Sequence, residues 1–246
     1  MTTMTTMTTM TTIVGNRESS ENVAMHMSDG IIDLPTSLLF GLIALVGVGV
    51  CAWKARSELD ERTVPMAGLV AAFIFAVQMV NFPILPGVSG HLLGGALAAI
   101  LVGPFTGALC VSIVLVVQAL LFADGGLSAL GANITNMALI GVAVGCGVAV
   151  GLRRVILRRE NLAGLGTIAF VAALCGTVAA SAGFIVEYSL GGASSTSVGT
   201  VAAYMLGTHT LIGIGEGIIT ALTVVAVARV RPDLVHLLRT RKQVAV

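Results

Sequence analysis

Residues 63–123 read TVPMAGLVAAFIFAVQMVNFPILPGVSGHLLGGALAAILVGPFTGALCVSIVLVVQALLFA, 61 positions without one Asp, Glu, Lys or Arg. A membrane-crossing helix takes about 20 consecutive apolar residues, so this stretch holds two or three crossings. A large soluble core is the competing explanation, but soluble helices keep a polar face and none recurs here at helical spacing. The whole chain agrees: of 246 residues 56% are hydrophobic and 10% charged, against about 25% charged in soluble domains. The sequence is that of an all-α membrane protein.

Working outward, seven apolar segments emerge, at about 34–53, 65–80, 88–102, 105–122, 133–152, 163–186 and 204–228. Turn chemistry separates them: Asn81-Phe82-Pro83 with Pro86-Gly87, Gly103-Pro104, and Asp124-Gly125-Gly126. The third segment is short for a full crossing.

Charge decides the sidedness. Twelve of the thirteen Lys and Arg fall in three clusters: Lys54, Arg56 and Arg62; Arg153, Arg154, Arg158 and Arg159; Arg229, Arg231, Arg239, Arg241 and Lys242. Seven crossings put all three on one side, which the positive-inside rule makes cytoplasmic. Six or eight crossings would scatter them. The expectation is a seven-transmembrane-helix bundle in a cell membrane, with its amino terminus outside and its carboxyl terminus cytoplasmic. Residues 231–246 then form a basic cytoplasmic tail after a transmembrane domain of residues 25–230. Residues 1–24 open with four Met-Thr-Thr repeats and have no means of burying surface. They read as a disordered leader or as an upstream start, with Met25 the natural alternative.

Several function classes drop out. A net charge of +1 implies no nucleic-acid partner. The cysteines Cys51, Cys110, Cys146 and Cys175 stand singly in apolar stretches, without the spacing of a thiolate site or a disulfide framework. HExxH, GxSxG and Walker A sequences are absent, so neither hydrolytic catalysis nor ATP hydrolysis by that route is expected of this chain. The polar residues near the outer face are few: His26, Asp29, Asn81, Ser89, His91, Asp124, Asn133, Asn136 and His209. Polar groups at membrane depth usually have a partner or a task. A single histidine there is ordinarily structural, but His26 and His91 are brought to one face by independent charge arguments. Were Met25 the first residue, its amine, the His26 backbone nitrogen and the His26 imidazole could close two fused chelate rings. His91 would then complete a square plane of nitrogens, a geometry that favours Ni²⁺ and Cu²⁺. Glu216 is the one carboxylate expected deep within a crossing, either a cation or proton relay or a hydrogen-bonded packing residue.

These residues carry a resemblance. Met25-His26-Met27-Ser28-Asp29-Gly30 resembles the amino-terminal motif of the CbiM/NikM proteins, the metal-specific S components of energy-coupling-factor ABC transporters. Asn81-Phe82-Pro83 with Ser89-Gly90-His91-Leu92-Leu93-Gly94-Gly95 is similar to a second family motif. Phe122-Ala123-Asp124-Gly125-Gly126 with Gly131-Ala132-Asn133 resembles a third, and His209 with Ile212-Gly213-Ile214-Gly215-Glu216 a fourth. The four stand in the family's order between Met25 and about Val230. The resemblance implies a seven-helix bundle binding Co²⁺ or Ni²⁺ near the outer face through Met25, His26 and His91. Asp29, Asn81, Ser89 and His209 are candidates to support those ligands. It also implies partners: a transmembrane coupling protein, a pair of cytoplasmic ATPases and a small accessory membrane subunit. The imported metal would feed cobalamin synthesis or metalloenzymes. The competing reading is an ion-coupled divalent-metal permease that works without an ATPase, for which Glu216 would matter.

Overall fold

The computed structural model describes residues 26–80, 82–85, 88–156 and 161–239. Met25, Asn81 and the leader lie outside the described residues. Seven helices are seen within them: α1 (Leu34–Ala55), α2 (Thr63–Gln78), α3 (Gly95–Val102), α4 (Pro104–Leu121), α5 (Leu130–Ile156), α6 (Leu162–Gly191) and α7 (Val198–Val230). Five of them, α1 and α4 to α7, are long and apolar enough to cross a membrane, and α2 is a shorter apolar helix of 16 residues. Leu38, Leu42, Leu45 and Val46 of α1 point outward fully exposed, as a lipid-facing wall requires. The chain is a multi-pass membrane protein.

Local chemistry sets the helix ends. Asp33 accepts a hydrogen bond from the Thr36 amide at the start of α1, and Ser197 does the same for Thr200 at α7. The start of α4 is capped from a distance: Glu58, in the α1–α2 loop, accepts from the amides of Phe105 and Thr106 at 3.3 and 2.7 Å. A carboxylate there satisfies free amides and complements the helix dipole.

The third apolar segment departs from its expected form. Only Gly95–Val102 is helical, and a short antiparallel hairpin, β1 (Phe82–Leu85) and β2 (Val88–Gly90), precedes it. Pro83 cannot enter a helix interior, and Gly94 sits at φ +80°, where a helix cannot continue. The result is an eight-residue helix at the centre of the bundle with every residue buried. Alpha-helix α4 packs against it so closely that a Cβ on Gly107 would lie 2.9 Å from the Ala98 carbonyl carbon.

The helices alternate in direction and so sort the loops into two ends. At one end the α1–α2 loop meets the last residues described: Arg239 donates to Thr63 Oγ1 at 2.9 Å, and Arg62 pairs with Asp233 at 3.4 Å. Val235 and Leu237 are buried there, so the start of the expected tail packs as two short 3₁₀ turns. The described basic residues gather at this end. At the other end residues 26–33 lie across the bundle, joined to the end of α6 by the Asp33 amide on the Gly191 carbonyl at 2.7 Å and an Ile32–Gly192 bridge.

Candidate metal centre

The strap of residues 26–33 delivers His26 to the mouth of the bundle, and the hairpin and extended residues 91–94 deliver His91. Both imidazoles are buried, 1% and 2% exposed, with ring centroids 4.5 Å apart. The Nδ1 of His26 lies 3.0 Å from Asp124 Oδ1, and that of His91 lies 3.0 Å from the Leu92 carbonyl oxygen. Each ring thus donates its Nδ1 hydrogen to an oxygen, and in the neutral imidazole the lone pair then lies on Nε2. Neither Nε2 has a hydrogen-bond partner among the described residues. Burying such a group without a partner costs about 1–3 kcal/mol. An imidazole that donates one ring N–H to a carboxylate or carbonyl, and keeps the other nitrogen free, is the form in which histidine binds metals.

The strap is held tightly behind His26. The Met27 amide donates to Asn133 Oδ1 at 2.9 Å, and Asn133 Nδ2 donates back to the Met27 carbonyl at 3.1 Å. The Gly126 amide also reaches that carbonyl, at 3.0 Å. Gly126 has to be glycine, because a Cβ there would lie 2.3 Å from the Asp29 nitrogen. Asp29 Oδ1 accepts from the Ser128 amide and hydroxyl at 2.8 and 2.5 Å. Those bonds hold the Asp29 carboxyl below its ordinary range, and the His26 hydrogen bond does the same for Asp124.

Residues 91–94 are pinned from two sides. Gln78 Nε2 donates to the Leu93 carbonyl at 2.7 Å. The Glu216 carboxylate accepts from the Leu93 and Gly94 amides at 2.9 and 3.0 Å, and from Thr177 Oγ1 at 2.9 Å.

The expected site residues sort as follows. His26 and His91 come together. Met25 and Asn81 lie outside the described residues, and Ser89 is placed only by its backbone, opposite Pro83 in the hairpin. Asp29 clamps Ser128 rather than an imidazole. His209 is buried with Nδ1 2.8 Å from the Met205 carbonyl, and it shares with His91, Asn133, Asn136 and Ser181 a cavity of ≈ 20 Å³. Among the described residues no three of His, Cys, Asp and Glu converge, so the two imidazoles are a partial donor set. Asp124 and Asn133, read in the sequence as outer polar residues and as parts of the third motif but not as site residues, fix His26. Glu187 was passed over: α6 runs to Gly191, past the expected end at 186, and buries Glu187 with one carboxylate oxygen 2.6 Å from Asn136 Nδ2.

Fold and site together define a multi-pass membrane protein with a paired-imidazole centre at one end of a helical bundle. Residues 26–234 match the family model described as CbiM, the cobalt uptake substrate-specific transmembrane region. A Haloquadratum walsbyi protein assigned to metal transport is 42% identical over 213 residues, covering 86% of this chain and 93% of the relative. The fused nickel transport protein NikMN of Rhodobacter capsulatus is 33% identical over 227 residues, with 85% of this chain and 63% of that protein covered. The crystal structure of a truncated transition-metal transporter superposes with a TM-score of 0.71 at 28% identity, covering 83% of this chain and 99% of that one. The chain belongs to the CbiM family. It is a transporter component and not an enzyme.

Proposed function

We propose that this chain captures Co²⁺ or Ni²⁺ at the outer face of the cell membrane, as the substrate-binding S component of an energy-coupling-factor transporter. The observation that carries the reading is the pair of buried imidazoles whose Nε2 atoms lack partners, at the end of the bundle opposite the basic residues. With those residues cytoplasmic, His26 and His91 face the outside, and the seven helices cross as a bundle with α3 completing the third, broken passage.

A free amine at Met25 supplies a third nitrogen in this reading. The fused-ring chelate through the His26 backbone closes on Nδ1, the atom that Asp124 holds. Forming it therefore requires the His26 ring to turn over and release Asp124, whereas binding through Nε2 leaves that bond intact. Asp29, Asn81, Ser89 and His209 support the site from outside its ligands.

Energy comes from partner subunits: a coupling protein in the membrane, a pair of ATPases and a small accessory subunit. The fused nickel relative, of which this chain matches only part, supports a further component alongside the membrane region. The permease alternative needs a carboxylate free to carry a cation inward, and Glu216, the deep carboxylate on which it rested, already accepts three hydrogen bonds.

The test is elemental analysis and isothermal titration of the detergent-purified chain with Co²⁺ and Ni²⁺, and uptake in cells with and without the ATPases. Tight binding of either metal, with uptake lost when the ATPases are deleted, is expected. Absence of binding to both metals overturns the reading.

A further inference from the structure

We propose that Glu216 is a positioning residue for the metal site, the group through which α6 and α7 hold His91 in place. The inference rests on the metal-capture reading above and adds a role for a residue that touches neither imidazole. Glu216 lies in the middle of the 33-residue α7 and is 2% exposed. Its two oxygens take the Leu93 and Gly94 amides, at 2.9 and 3.0 Å. The Gly94 amide is that of the residue capping α3 and the Leu93 amide precedes it, so the carboxylate lies off the end of the helix where the dipole favours a negative charge.

The link to His91 is short. Leu93 is two residues away, and its carbonyl is tied to Gln78 of α2. The His91 ring bonds to the Leu92 carbonyl, so the orientation of the ring follows the backbone of residues 92–94. Gly94, at φ +80°, ends the extended run there, so that beside the Gln78 bond the Glu216 carboxylate is what fixes the Leu93 and Gly94 amides. Thr177 of α6 reaches the same carboxylate at 2.9 Å, its one hydroxyl hydrogen shared between that oxygen and the Ala173 carbonyl at 3.0 Å. One group therefore gathers α3, α6 and α7 directly behind one metal ligand. His26 is fixed separately, by Asn133 of α5 and by Asp124. A shift of α7 that draws Glu216 off the two amides loosens His91 and leaves His26 where it is, which lowers affinity without dismantling the site.

The full-length chain tests this through Glu216→Gln. The amide keeps the size but brings N–H groups against two amide donors, so at least one bond is lost. Groups that orient metal ligands typically contribute about 10–100-fold in affinity, and a loss in that range is expected for Co²⁺ by isothermal titration. The ligand-field absorption of bound Co²⁺ should change as well, because it reports the arrangement of nitrogens around the ion; a merely structural residue would shift the melting temperature and leave that spectrum alone. Thr177→Val serves if Glu216→Gln does not fold. It removes one donor from the carboxylate, worth about 1 kcal/mol, so roughly fivefold in affinity. A folded variant of either kind with wild-type affinity, or with weaker binding and an unaltered spectrum, overturns the proposal. Failure of the unaltered chain to bind Co²⁺ or Ni²⁺ tells instead against the metal-capture reading.

Discussion

Asn133→Leu should strip the metal site of affinity without touching a ligand. Asn133 makes two hydrogen bonds to the backbone of Met27, the residue after His26. Leucine keeps the branching at Cγ, with bulkier methyl ends, and offers neither. The two lost bonds are unequal. The Met27 carbonyl keeps the Gly126 amide at 3.0 Å, so its loss is that of one ordinary bond, about 0.5–1.5 kcal/mol. The Met27 amide keeps nothing, and an orphaned buried donor costs about 1–3 kcal/mol. Together they come to about 1.5–4.5 kcal/mol, or roughly 13- to 2,000-fold in the equilibrium that docks the strap. The Met27 side chain, 1% exposed and packed with Ile32, Ala129, Ala132 and Phe184, still holds the strap down. The low end is therefore expected, about 13-fold weaker binding of Co²⁺. Isothermal titration measures it, and hydrogen exchange at residue 27 shows whether the strap has loosened. Loosened exchange with unchanged affinity would refute the argument that His26 must be held to bind metal.

His91→Ala and His26→Ala should each abolish high-affinity Co²⁺ and Ni²⁺ binding while the metal-free protein melts as before; titration that still gives wild-type affinity for either variant removes the centre of the proposed function. Gly131→Ala should destabilise the bundle by about 1–3 kcal/mol, because its Cβ would meet the Gly41 backbone of α1 at 2.4 Å, and thermal unfolding in detergent reads this directly. The Asp29 and Asp124 carboxyls are both held below their ordinary range by hydrogen bonds, so their contribution is present above the unfolded value of about 3.9 and lost as pH falls through the lower folded values. Exchange protection of the Met27 amide, normalised to the intrinsic rate, should thus hold from pH 8 to 5 and fail only below about 4; loss near neutrality would contradict the assignment. A cysteine replacing Ser195, in the α6–α7 loop, should react with an impermeant reagent from outside the cell, and labelling from the cytoplasm alone would invert the proposed topology.

The large features of the fold were legible because membrane solvation leaves few choices. An uncharged run of 61 residues cannot be a soluble surface, and each long apolar segment became one helix, although α6 ends five residues later and α7 begins six residues earlier than expected. The third segment was misjudged because hydropathy measures only how apolar a stretch is. Residues 88–102 are apolar enough to cross, but Gly90 and the Gly94-Gly95 pair make the backbone prefer a strand, an extended link and an eight-residue helix. The turn chemistry read from the sequence, Asn81-Phe82-Pro83 with Pro86-Gly87, lies ahead of the segment, whereas Gly90 and Gly94-Gly95 break it from within.

The site was legible to the extent that its chemistry is carried by rare residues. Histidine is scarce enough here, four in 246, that two on one face stood out. The groups that fix them did not, because their roles exist only in three dimensions. Asp124 fixes His26 only because its carboxylate reaches a ring 98 positions away, and Asn133 only because both ends of its amide meet the backbone of one residue, Met27. Glu216 shows the consequence most plainly. In sequence it is a charge in a crossing, for which a relay and a packing role are equally reasonable. The structure separates them by what the carboxylate faces: two amides just ahead of a short helix and one hydroxyl, with no described acidic or basic partner. A carboxylate whose lone pairs are already engaged has little left with which to bind a passing ion. The same engagement makes it strong as an anchor, because in the dry interior each of those donors would be costly to leave alone. The break in the third segment and the buried carboxyl group in the seventh are therefore one feature: the extended link ahead of the short helix presents the Leu93 and Gly94 amides, and Glu216 is the group that covers them, two residues on from His91.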